Sequence, residues 1–277
     1  MVAQWHSYFD ESYPGGKRGW FVMAGVLAKL SEWRSLESAW KKRLRASPRM
    51  EYLHVNEIDD RRVEGTSFYG LTKKEADRKL AQLRRLVWEH TEYRALAWFR
   101  LEEFYEVFPR ERPLLGSRRL NSRYAHPYVI AYLAALDSTY AAAEAIDGRQ
   151  KPPLITFHSW SDSKRESKAT ELFRWLQQTP EGEGPAWLSW VRDSAAPPVF
   201  MPSGKGHHRN VGPQVADAVV TKMREVFEAA ELGERVSIPR LLGSKIAYRR
   251  PYGIETLKEW REFLEVYVPE RRKGGWQ

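Results

Sequence analysis

The residues best suited to chemistry in this 277-residue chain are acids that fall at the ends of predicted elements. Asp10 and Glu11 close the run Gln4-Trp5-His6-Ser7-Tyr8-Phe9, just ahead of a turn at Pro14-Gly15-Gly16. Glu57 stands in a short alternating segment, 51–58, followed by Asp59 and Asp60 and preceded by His54. Asp162 comes soon after a predicted strand that runs into His158, and Asp217 lies in the first turns of a late helix. Carboxylates are hard oxygen donors of the kind Mg²⁺ and Mn²⁺ take. Histidines orient water, pass a proton or bind Mn²⁺, although a structural role is the commoner use of each one. A glycine-containing basic loop, 203–210, precedes the late helix. Its two glycines let backbone N–H groups approach phosphate, and Lys205, His207, His208 and Arg209 add positive charge. Arg118 and Arg119 belong to a second basic stretch that reads either as a solvated loop or as a phosphate contact.

These side chains need rigid elements to hold them. The segment Trp20-Phe21-Val22-Met23-Ala24-Gly25-Val26-Leu27 reads as the second strand of a hairpin, which puts Asp10 and Glu11 at the end of the first strand. Neighbouring strand residues point to opposite faces, so one acid can face a site while the other turns away or supports it. Ser31 is the expected N-cap of a helix with Trp33, Leu36, Trp40 and Leu44 on one face and Lys41, Lys42, Arg43 and Arg45 on the other. Thr72 and Glu75 form a capping box. The helix they open turns Ala76, Leu80, Leu83 and Val87 inward and Lys79, Arg84 and Arg85 mainly outward.

A third strand is expected over 93–99, then an irregular basic insertion over about 102–123 and an Ala-rich helix over 124–146. A short buried strand over 154–157 leads to a second capping box, Ser163 with Glu166, and an edge strand is expected over 198–201. In the late helix Pro213 suits the first position. Val215, Ala216, Val219, Val220, Met223, Val226 and Phe227 share one apolar face, with Asp217 just outside its edge and Gln214 one turn back. An acid there also complements the helix dipole, with no further role required. Residues 239–277 read as a basic C-terminal appendage with one helix over 255–267.

Composition sets the outer bounds. Lys and Arg outnumber Asp and Glu by 45 to 36, a net charge of +9, which favours a polyanionic partner. There is no cysteine, so disulfides, thiolate metal sites and cysteine nucleophiles are excluded. Twelve tryptophans suit a core and also base stacking. No stretch reads as a cleavable leader and no apolar run approaches the ~20 residues that span a membrane, so the expectation is a soluble cytoplasmic protein without membrane contact. The Gly-x-Gly of the basic loop has the wrong spacing for a dinucleotide fingerprint, and no phosphate-binding P-loop, nucleophile elbow or His-Glu-x-x-His motif occurs.

The order of these pieces resembles the ribonuclease-H-like fold. More narrowly, Tyr8-Phe9-Asp10-Glu11-Ser12 and Gln214-Val215-Ala216-Asp217 resemble the two end motifs of the bacterial family called domain of unknown function 3800. Leu53-His54-Val55-Asn56-Glu57-Ile58 is similar to its His-x-x-Glu-apolar stretch, and the helix from Trp33 to Trp40 to its first helix. The chain departs from the pattern at Tyr13, where the family usually has Gly. It departs again after the fourth strand, where either His158 or Asp162 fills the place of the usual Asp.

The resemblance implies an α/β domain over 1–238 with a mixed five-stranded sheet flanked by helices. It also implies a metal-dependent nuclease cleaving DNA or RNA with two Mg²⁺ or Mn²⁺ ions. In that arrangement Asp10 would bridge the ions and Asp217 would hold one of them. Glu57 and Asp162 would complete the set, Glu11 would be a ligand or its support, and His54 and His158 would handle water and protons. Two rivals stand beside it: a catalytically silent nucleic-acid-binding module, and an assembly subunit, perhaps of an antiviral system, that contacts a protein partner or its own copies.

Overall fold

Strand β1 (Trp5–Ser12) turns back through Pro14 and Gly16 into β2 (Trp20–Lys29), and the two pair antiparallel from Trp5 opposite Lys29 to Ser12 opposite Val22. The computed structural model describes residues 5–14, 16–91, 93–109, 126–147, 154–159, 163–179, 191–192, 198–202, 210–232, 247–251 and 253–267. Strand β3 (Tyr93–Arg100) continues the meander antiparallel to β2. On the other side of β1, β4 (Leu154–Ser159) pairs parallel with it, and β5 (Val199–Pro202) pairs parallel with β4. These are the five strands expected from sequence. A sixth, β6 (Ala247–Pro251), lies parallel to β3, so the sheet order is β5-β4-β1-β2-β3-β6. The stretch read as a helical appendage thus supplies an edge strand as well as a helix.

Helices cover both faces of this mixed α/β sheet. One face carries α1 (Leu30–Arg45), α2 (Lys73–His90) and α6 (Val211–Glu231). The other carries α4 (Pro127–Asp147) and α5 (Ser163–Gln178), with the short α3 (Leu101–Val107) and α7 (Ile254–Tyr267) packed together beside them. The expected apolar faces are buried: Trp33, Leu36, Trp40 and Leu44 in α1, and Ala76, Leu80, Leu83 and Val87 in α2. Leu257 and Trp260 of α7 join the core beneath α4.

Several local details differ from the sequence reading. The N-cap of α1 is Lys29 rather than Ser31, and Glu32 accepts the Lys29 N–H at 2.8 Å. Part of the supposed irregular insertion is helical: α3 buries Leu101, Phe104 and Val107. The Ala-rich helix α4 is found as expected, and it is buried on every side from Tyr128 to Tyr140, packed against the sheet and α5. Lys79, expected at the surface, is fully buried. Its Nζ donates to the carbonyls of Arg43 (2.5 Å), Leu44 (3.4 Å) and Ala46 (2.8 Å), closing the C-terminus of α1 from the side. By spacing Lys79 lies within the inward stripe of α2, three residues after Ala76. Arg84 also faces inward, bonding the carbonyl of Ala218 and the Glu225 carboxylate of α6.

Candidate metal and nucleic-acid site

Residue alternation decides which acid of β1 faces which layer. Tyr8 packs on the α1 and α6 side, while Phe9 belongs to the cluster under α4. Asp10 therefore turns toward the α6 layer and Glu11 toward the α4 layer. The approach of α6 to β1 is close: a Cβ on Gly212 would overlap the Tyr8 ring, so only glycine fits the helix there. Asp10 is 3% exposed, and its Oδ1 accepts the N–H of the next residue, Glu11, at 2.9 Å. Burial pushes the Asp10 carboxyl up to about 8, and the Glu11 N–H pulls the other way. Two residues along the same face, the hydroxyl of Ser12 is buried with no hydrogen-bond partner among the described residues.

The position of Asp10 follows from topology. From β1 the chain runs to β2 and β3 on one side of the sheet, whereas β4 and β5 lie on the other. The C-terminal ends of β1 and β4 therefore flank a switch point, the general location of ligands in open α/β sheets. His158 lies in β4 near that end; its side chain, and all of Asp162, fall outside the described residues.

Helix α6 supplies the other acid motif and uses it as a clamp. Asn210 caps the helix, its side-chain oxygen accepting the Gly212 N–H at 3.0 Å. Gln214 Oε1 accepts both the Trp40 indole N–H (3.0 Å) and the Leu53 N–H (2.9 Å), while its Nε2 donates to the Asn210 carbonyl (3.2 Å). Asp217 Oδ2 accepts the Val55 N–H at 2.7 Å. The Gln214 and Asp217 side chains therefore fix the 53–55 segment to α6 across more than 160 residues of sequence. Asp217 is buried, at 5% exposed.

Downstream of that segment a 3-10 turn (Val55–Asp59) carries Glu57. Its carboxylate accepts the Ser67 N–H (2.6 Å) and the Tyr52 hydroxyl (3.1 Å) and lies 3.1 Å from His54 Nδ1. Burial acts to raise the Glu57 carboxyl, but the Ser67 N–H and the bond and charge of His54 outweigh it, so the net shift is downward. Burial and then the Glu57 charge push the Tyr52 hydroxyl up to about 12. Glu57 and His54 are thus brought together, and both are engaged in holding their own loop.

The structure joins Asp217 and Gln214 to the 53–55 segment and pairs His54 with Glu57; it sends Glu11 to the opposite face from Asp10. Among the described residues no three of His, Asp and Glu stand close enough together to hold a metal ion. Arg118, Arg119, Lys205, His207, His208 and Arg209 lie outside the described residues. No protein-family model matches the chain, and no curated protein matches it. Also among the described residues, no helix is long and apolar enough to cross a membrane.

Residue types alone had not singled out Tyr52, Ser67 or Trp40 as polar partners. Asn210 did carry a signal, since Asn is a favoured cap, but the helix opens at Val211, so Pro213 stands at its third position rather than the expected first.

Proposed function

We propose that this chain is a ribonuclease-H-like, divalent-metal-dependent nuclease in which Asp10 is the central carboxylate. The observation that carries the reading is the setting of Asp10: a buried carboxyl with a raised pKa, on the central strand, at the switch point of the sheet. A carboxyl in that setting gains most from a hard cation, which replaces its proton and restores the charged form. The buried Ser12 hydroxyl beside it is a further oxygen with bonding capacity to offer. Asp10 and Ser12 offer oxygens of the kind Mg²⁺ or Mn²⁺ take, and Asp217 of α6 would add a further one. Asp217 accepts the Val55 N–H, and a carboxylate has about four lone-pair sites.

Such an ion would polarise a phosphate oxygen and lower the pKa of its bound water. The chain's own residues supply the rest: Asp10 offers its carboxyl oxygens from the rigid central strand, and Gln214 and Asp217 keep the 53–55 segment beside α6. His54 is set by Glu57 through Nδ1. The order of the meander and the two parallel strands also supports the ribonuclease-H-like reading.

A second reading has its own support. Glu57 is fully engaged by its loop and Asp217 by Val55, as expected of a catalytically silent module that keeps the fold and binds nucleic acid. The test is cleavage of labelled single- and double-stranded DNA and RNA in Mn²⁺ and in chelator, with wild type and Asp10→Asn. Metal-dependent cleavage lost in Asp10→Asn is the expected result. Binding without cleavage, together with no Mn²⁺-linked stabilisation, identifies the silent module.

A further inference from the structure

We propose that the end of α1 and the opening turns of α2 form a cationic ridge that binds the phosphate backbone of nucleic acid. This rests on the functional reading above and assigns the surface along which the polymer lies.

Between Ala39 and Met50 the chain carries Lys41, Lys42, Arg43, Arg45 and Arg49 and no acid. Cations in the last turn of a helix ordinarily serve the helix itself, meeting its exposed carbonyls and the negative end of its dipole. In this protein another residue does that. The buried Lys79 sends its ammonium to the carbonyls of Arg43, Leu44 and Ala46, so the end of α1 is already capped from within. Lys41 is paired with Glu37. Lys42, Arg45 and Arg49 are left exposed, and no carboxylate of the described residues pairs with them.

The Lys79 contact also sets the second turn of α2 against the last turn of α1. It brings in Lys74 and Arg78, which are exposed and lie one turn apart on α2. The exposed acids of these stretches are Glu51 and Asp77; Glu75 has its carboxylate on the N–H and hydroxyl of Thr72. Crowding is already felt: burial, and after it the charge of Arg43, lower the Lys79 ammonium to about 8. A surface where cations outnumber the acids beside them is one that a polyanion neutralises, releasing its own counterions.

The ridge is tied to the candidate site by a single helix. Trp33, near the start of α1, donates to the carbonyl of His6 in β1 at 2.9 Å, and Trp40 donates to Gln214 at 3.0 Å. Lys42 and Arg45 follow within the next turn and a half. The outer face of α1 therefore carries the charge while its inner face holds the clamp, about one helix diameter (~10 Å) apart.

The experiment is fluorescence anisotropy of a labelled 30-mer duplex DNA and its RNA counterpart with the full chain in chelator, between 50 and 200 mM salt. Lys42→Gln/Arg45→Gln/Arg49→Gln is compared with a control of equal charge loss, Lys41→Gln/Arg85→Gln/Lys258→Gln, whose cations are each paired with a carboxylate. Removing three phosphate contacts lowers the slope of log K against log salt by about 2–3. The ridge variant is expected to show that drop and at least tenfold weaker binding at 50 mM salt, with the control nearly unchanged. Equal effects in both triple variants, absence of salt-dependent binding in wild type, or binding to anionic vesicles in preference to either polymer would overturn the ridge. Cleavage separates the two readings. Lost ridge binding with no cleavage by wild type keeps the ridge and removes the nuclease. Cleavage with unchanged KM in the ridge variant does the reverse.

Discussion

Asp10 and Asp217 sit in two regions that look alike in sequence and are equally buried, at 3% and 5% exposed. Asp10 ends a central strand, accepts a hydrogen bond from the residue beside it, and has its ionisation opposed by burial. Asp217 stands in the second turn of α6 and accepts an N–H from a segment 162 residues away. The first is a charge that burial opposes; the second is a tie the fold uses. A buried acid that costs stability and one that contributes it cannot be told apart by burial, only by what meets their oxygens.

The sharpest way to press this difference is by activity. Asp10→Asn is expected to lower metal-dependent cleavage on the order of a thousandfold, the several kcal/mol a metal site supplies, measured in Mn²⁺ under single turnover. Retained cleavage would erase the distinction between the two acids. Next in size, Gln214→Leu removes three hydrogen bonds and leaves the Trp40 and Leu53 N–H groups unmet. A loss of about 3 kcal/mol in urea unfolding is expected. Asp217→Ala, which leaves one N–H unmet, is expected to cost about 2 kcal/mol in the same assay, and Asp217→Asn, which keeps an acceptor, less than about 1 kcal/mol.

The dependence on pH is the most diagnostic. Because the folded protein holds the Asp10 proton up to about 8 while the unfolded chain releases it near 4, stability falls as pH rises through that window. In chelator, Asp10→Asn should therefore melt higher than wild type at pH 8, with the gap shrinking toward pH 4. A gap that is flat with pH would mean that the fold does not oppose the ionisation of Asp10.

Much of this arrangement was legible in the sequence because local signals and packing agree. The hairpin, the Thr72 capping box and the apolar stripes of α1, α2 and α6 all appear where their periods put them. The alternation rule also foresaw that Asp10 and Glu11 would part company. What escaped reading is what depends on distant partners. Nothing in Gln214 or Asp217 announces Leu53 and Val55 as their donors. Lys79 sits at an inward position, but its residue type pointed outward until the carbonyls at the end of α1 were seen beside it. Strand β6, Ala-Tyr-Arg-Arg-Pro, has neither alternation nor length to mark it.

The pairing of β6 with β3 has a consequence for how the protein is made. All of α3 to α6 is synthesised between these two strands, so at ~5–20 residues per second the outer edge of β3 waits roughly 10–30 s for its partner. During that interval the nascent sheet offers open backbone donors and acceptors to any neighbouring chain. The late arrival of a five-residue strand is then what withdraws the offer.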